Sequence, residues 1–215
     1  MSRTRDELLA AAMRTVEAEG PEALRARKLT AEIGVSTMAV YTHFGGMPGL
    51  FETVVTEGLE RFAAHVRQTP RTDDPMADLM SGGLAYAEFS VENPQLYRLI
   101  FGLADRAALR GLAPNLDAAE TWRSPAGVEA FSVLLESVER VINAGEFRSQ
   151  DPRAAAVQIL STTHGYLLLE LGGLVTEDIQ GVIAPLSVNL MVGLGADRKK
   201  AERALARAIR DRASR

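Results

Sequence analysis

The stretch Leu29-Thr30-Ala31-Glu32-Ile33-Gly34-Val35-Ser36-Thr37-Met38-Ala39-Val40-Tyr41-Thr42-His43-Phe44 decides how this chain is read. Gly34-Val35-Ser36 separates two short runs whose apolar residues recur at helical spacing. Two short helices joined by a glycine-containing turn are the local pattern of a DNA-binding helix-turn-helix. The spacing predicts a supporting helix over 26–33 and a second helix over 37–43 that Ser36 or Thr37 can cap. On this reading the second helix enters the major groove with its N-terminal residues against base edges. The hydroxyls of Thr37 and Thr42 can meet donors or acceptors, whereas Met38 and Ala39 offer only apolar contact, for instance to a thymine methyl. Tyr41 and His43 suit phosphates, and Arg27 can reach a guanine edge or the backbone. Val35, Val40 and Phe44 fit the inside of a three-helix head. Glycine turns between short helices also occur in helical proteins of other kinds, so the spacing alone leaves function open.

Towards the N-terminus, Leu8, Leu9, Ala12, Met13 and Val16 form one face of a helix that stops before Gly20-Pro21. Towards the C-terminus, Gly45-Gly46 closes the second short helix, and Pro48 suits the first residue of a long one reaching about residue 68. Further helices are expected over 76–91, from Asn93-Pro94, and over 128–144, 152–172 and 178–194. Between Gly102 and Pro125 the pattern is weak, with Gly111 and Pro114 as breakers, and short helices or a loop are expected. The tail carries Arg198, Lys199, Lys200, Arg203, Arg207, Arg210, Arg212 and Arg215 on an alanine-rich helical pattern, which reads as a solvated face. No run of alternating β-branched residues occurs, so the fold class is all-α.

With 47% hydrophobic and 24% charged residues over 215 positions, the chain can bury a core and is not a disordered segment. The absence of cysteine excludes disulfides, thiolate metal sites and cysteine nucleophiles, and fits the cytoplasm. No apolar run follows the basic residues at the N-terminus, so no secretory signal is expected. The most apolar stretch, 166–175, is broken by Glu170 and falls short of the ~20 residues that span a membrane. A net charge of −4 argues against holding nucleic acid by bulk charge, so any DNA contact must be local. Within the head, Arg3, Arg5, Arg14, Arg25, Arg27 and Lys28 are matched by Asp6, Glu7, Glu17, Glu19, Glu22 and Glu32. His43, His65 and His164 lie far apart without metal-ligand spacing, and neither a phosphate-cradling glycine loop nor a nucleophile elbow occurs. Asp73-Asp74 sits in a turn, where adjacent carboxylates face water. No enzymatic activity, cofactor or metal is therefore expected.

The quoted run, with the Leu50-Phe51 that follows, resembles the N-terminal signature of TetR-family transcriptional regulators. That resemblance implies a three-helix helix-turn-helix domain followed by a larger helical ligand-binding and dimerisation domain. We divide the chain into 1–47, 48–196 and a basic helix or tail over 197–215. The resemblance also implies double-stranded operator DNA as a partner, with operator contacts by Arg27, Thr37, Met38, Ala39 and Thr42 and phosphate contacts by Tyr41 and His43. One position departs from it: Met47 stands where the family commonly places a phosphate-anchoring lysine. Farther on, residues 93–101 and Thr163-His164-Gly165-Tyr166 resemble a C-terminal subclass named for a Trp-His-Gly triplet, with Thr163 in place of the tryptophan.

The helices over 152–172 and 178–194 are apolar around most of their circumference and need partners on more than one side. The resemblance implies that they pair with their symmetry mates in a homodimer, which a two-fold operator requires. It further implies a repressor released from DNA by a small, largely apolar effector. Tyr86, Phe89, Tyr97, Phe101, Trp122, Phe131 and His164 are candidates to line its site, and each is equally at home in a core. A helical interaction protein of the same fold that has lost operator binding is the alternative, supported by Met47 and the charge-matched head.

Overall fold

The computed structural model describes residues 3–101, 118–175 and 179–214, with the side chains of 118–120 and 179–180 set aside. Among the described residues the chain is helical and contains no strand. The helices are α1 (Arg3–Glu19), α2 (Ala26–Glu32), α3 (Met38–Phe44), α4 (Met47–Arg67), α5 (Pro75–Glu92), α6 (Pro94–Ile100), α7 (Ala118–Arg123), α8 (Pro125–Asn143), α9 (Pro152–Leu171), α10 (Ile179–Gly193) and α11 (Arg198–Ala213). The expected breakers Gly111 and Pro114, and Asp178 as a helix start, lie outside the described residues. Helix α8 begins three residues earlier than its apolar spacing suggested, because Pro125 is well suited to a first turn.

Two compact units emerge, one from 1–62 with 92–129, the other from 63–91 with 130–215. Helix α4 runs from the first into the second.

In the first unit Leu8, Ala11, Ala12 and Val16 of α1 are fully buried, as are Leu29 of α2, Val40 of α3 and Leu50 and Phe51 of α4. Each such leucine or phenylalanine gains about 1.5–3 kcal/mol from leaving water. Arg14 reaches Glu32 at 2.6 Å, and Lys28 pairs with Glu19, so two ion pairs tie α1 to α2. Arg61 of α4 reaches Glu17 at 2.9 Å. Helix α6 packs against α1.

In the second unit Met76, Val138, Val141, Ala155, Ala156, Leu194, Ala201 and Ala208 form a dry core. Asp151 caps α9 by accepting from the Arg153 amide at 3.0 Å, with Pro152 in the first turn where its missing N–H costs nothing. Asp197 caps α11 in the same way through the Lys200 amide, 2.9 Å. The loop before α5 is fixed by Asp78, which is buried and accepts from Arg140 at 2.7 Å and from the Thr72 amide and hydroxyl, each at 2.8 Å. Buried charge is tolerated there because every oxygen of the carboxylate is engaged.

The basic tail forms α11, whose alanines Ala201, Ala204 and Ala208 are buried. Lys200 pairs with Glu146, Arg207 with Asp74 and Asp211, and Arg212 with Glu88. Half of the helix is thus a packed element of the second unit. Arg198 pairs with Glu202 and donates to the Asn189 side-chain oxygen, while Lys199, Arg203 and Arg210 are exposed.

Candidate nucleic-acid interface

The turn between α2 and α3 is built by the backbone. Gly34 adopts φ +72°, and the Val35 amide donates to the Thr30 carbonyl at 2.9 Å while the Gly34 amide donates to Ala31 at 3.4 Å. These two bonds close the turn at the end of α2, and a residue with Cβ would be strained at Gly34. Helix α3 starts one residue later than expected. Thr37 occupies its N-cap position without a side-chain bond, because its backbone is already helical (φ −60°, ψ −21°), whereas capping needs extended geometry. The threonine hydroxyl therefore stays uncommitted. At the other end, a Cβ on Gly49 would sit 1.9 Å from the Phe44 carbonyl oxygen, so only glycine lets α4 start this close to α3.

Met38 and Tyr41 are 65% and 61% exposed. Thr37 and Thr42 are exposed beside them, so spacing by one, four and five residues places all four on one face. The Thr42 hydroxyl donates to the Met38 carbonyl at 3.0 Å, leaving its lone pairs to accept from an exocyclic base amine. Ala39 and His43 are half-buried, and Val40 is fully buried. Val35 and Phe44 are only half-buried.

Arg27 stands exposed on α2. Among the described residues it has neither a carboxylate nor a carbonyl partner, while Arg14 and Lys28 are spent on Glu32 and Glu19 and Arg25 donates to the carbonyls of Glu22 and Leu24. An unpaired, exposed guanidinium can meet a phosphate without first breaking an ion pair. Arg5 was not singled out by sequence, yet its guanidinium lies 5.1 Å from the Phe44 ring centroid and holds the end of α3 to α1. No spacing rule links positions this far apart. Met47 is half-buried as the first residue of α4.

Residues 8–54 match the model of bacterial regulatory proteins of the tetR family, and residues 79–184 match that of the tetracyclin repressor-like C-terminal domain. The chain belongs to the TetR family. The second match contains both segments on which the subclass resemblance rests. Similar solved structures include a protein of unknown function from Rhodococcus sp. RHA1, 25% identical, with TM-score 0.74 over 90% of this chain and 96% of that one. A tetR-family regulatory protein from Rhodococcus RHA1 is 23% identical, with TM-score 0.63 over 92% of this chain and 100% of its own. RolR in complex with resorcinol shares the fold at 15% identity, TM-score 0.63, over 95% and 94% of the two chains. Among curated proteins none matches. As a member of the TetR family, the chain is a DNA-binding transcriptional regulator. No described helix is long and apolar enough to cross a membrane.

The seven aromatic and histidine candidates divide between the units. In the first, the Phe101 ring lies 4.6 Å from Tyr97, 4.9 Å from Trp122 and, edge-on, 5.8 Å from Phe62, centroid to centroid. Tyr97 is fully buried, and Phe101 and Trp122 are half-buried. In the second, the Tyr86 hydroxyl and His164 Nδ1 are hydrogen-bonded at 3.2 Å. Burial lowers the His164 pKa, which keeps that imidazole neutral at physiological pH. Phe89 is buried with its ring centroid 5.7 Å from His65, and Phe131 is half-buried under the Arg153 guanidinium at 5.2 Å.

Proposed function

We propose that the chain acts as a homodimeric repressor that reads a two-fold operator through α3 and is released by a small, largely apolar effector. Residues 1–47 form the reading head, 48–196 carry sensing and dimerisation, and 197–215 add the basic helix. The exposed face of Thr37, Met38, Tyr41 and Thr42, together with the exposed, unpaired Arg27 of α2, carries this reading, because it joins base-edge chemistry to an available cation. Ala39 and His43 extend the contact. In the dimer, α9 and α10 pair with their symmetry mates. RolR, which shares the fold, binds resorcinol, and a compact apolar molecule is the effector class we assign here. Candidates for its contacts are Tyr86, Phe89, Tyr97, Phe101, Trp122, Phe131 and His164. Helix α4, common to both units, would transmit the coupling, for which about 1–3 kcal/mol is usual.

A duplex carrying the protein's own upstream region tests the reading. A regulator retards it at moderate salt in preference to unrelated duplex. A helical interaction protein that has lost operator binding, the reading favoured by the half-buried apolar Met47 and the paired cations of the head, shows no such preference.

A further inference from the structure

Within the second unit a cavity of about 310 Å³ lies between α5, α9, α10 and α11. Its lining includes none of the seven candidate residues. Leu79, Met80, Ile159 and Met191, all buried, line it with hydrocarbon and thioether, and Thr162, Thr163 and Ser187 add hydroxyls. Arg212 of α11, also in the lining, directs its Nε and one terminal nitrogen at the two carboxylate oxygens of Glu88 on α5.

Two features mark this as a built site. Gly83 forms part of the wall in the middle of α5, and a Cβ placed on it meets nothing within 4 Å. Glycine is costly inside a helix and here serves no close approach, so its effect is to keep the cavity open. The two charged partners are also unequally held, since the Arg212 side chain is 22% exposed and that of Glu88 42%. Glu88 can turn out into water, whereas Arg212 cannot as readily leave the cavity.

We infer that the cavity binds an organic monocarboxylate with a compact hydrocarbon body, whose head group takes the place of Glu88 on Arg212. One two-pronged carboxylate is exchanged for another, so the guanidinium keeps its geometry, and burial of the apolar body supplies the driving force. This inference rests on the reading that the chain senses a small molecule.

Octanoate and 1-octanol are the probes, titrated by calorimetry into the full-length protein. Octanoate should bind at least tenfold more tightly than the alcohol. Glu88→Gln removes the internal competitor and should tighten octanoate at least threefold, while Arg212→Gln should abolish the preference for the acid. Gly83→Phe fills the cavity and should remove binding of both; should that variant not fold, the Glu88→Gln result decides by itself. Equal binding of acid and alcohol, an unchanged affinity in Glu88→Gln, or full affinity in folded Gly83→Phe would overturn the site. Octanoate that binds as described yet leaves duplex affinity unchanged would overturn the effector role while leaving the site in place.

Discussion

On α3, Met38 and Tyr41 stand in water beside two threonine hydroxyls, with Arg27 close by in sequence on α2. On α9 and α10, Val157, Leu169 and Leu186 also stand in water, at 45%, 45% and 38% exposure. The first surface mixes apolar contact with hydrogen-bonding groups, as base edges and phosphates require. The second is aliphatic, as a surface that meets another protein surface requires. Each of these elements also buries large apolar residues: Val40 on α3, Ile159, Tyr166 and Leu167 on α9, Ile183, Val188 and Met191 on α10. Exposure alone does not mark a partner surface, since Leu174, Val91 and Val128 are exposed as well; the groups beside an exposed apolar residue indicate what kind of partner it suits.

The strongest way to break this comparison is to place a charge on the aliphatic surface. In a homodimer Leu186→Arg buries an unpaired cation, at a cost of several kcal/mol, and sedimentation should show folded monomer or aggregate. An intact dimer would remove α10 from the interface. Leu190, on the same helix, cannot serve in this test, because it packs on the chain's own core and lines the cavity.

A pair of substitutions sharpens the contrast inside the head. Leu29→Ala opens a void in the core and should lower stability by about 2–5 kcal/mol in thermal or denaturant unfolding. Met38→Ala and Thr42→Ala should leave stability within about 0.5 kcal/mol and instead narrow the gap between operator and unrelated duplex, by up to about 1–3 kcal/mol for a good contact. Stability loss in Met38→Ala without loss of discrimination would mean that its exposure has no part in recognition.

The smallest effect expected is at Met47. Met47→Lys should add one phosphate contact per half-site and steepen the slope of log affinity against log salt by about 0.9 for each. Operator and unrelated duplex should gain alike, since a phosphate carries no base identity. An unchanged slope in a folded dimer would contradict the placement of α4 against the backbone.

The head was legible because its signals are local. Gly20-Pro21, Gly34 and Gly45-Gly46 each interrupt a clear period, and each ends a helix where the sequence places the break. What failed there was the cap at Thr37, which depends on backbone angles that no residue type reveals. In α10 the apolar residues go round the helix, so the period does not say that Leu186 faces outward while Leu190 and Met191 face inward. The cavity was hidden for a related reason. Gly83 lies within a helical run, and only the packed second unit brings Arg212, Met191 and Ile159 to the same cavity. Arg27 could be nominated from sequence, but its availability follows from how Arg14 and Lys28 are used, and that is a matter of long-range pairing.

The central claim, that α3 of two copies reads a two-fold DNA site, is tested most directly by selecting bound sequences from a random duplex pool with the full-length protein. Enrichment of an inverted repeat is expected, with half-sites about 34–36 Å apart, one helical turn, or a multiple of it, and it should weaken in Thr42→Ala. Recovery of no preferred sequence at moderate salt, or of one that Thr42→Ala and Met38→Ala bind as well as the wild type does, would contradict it.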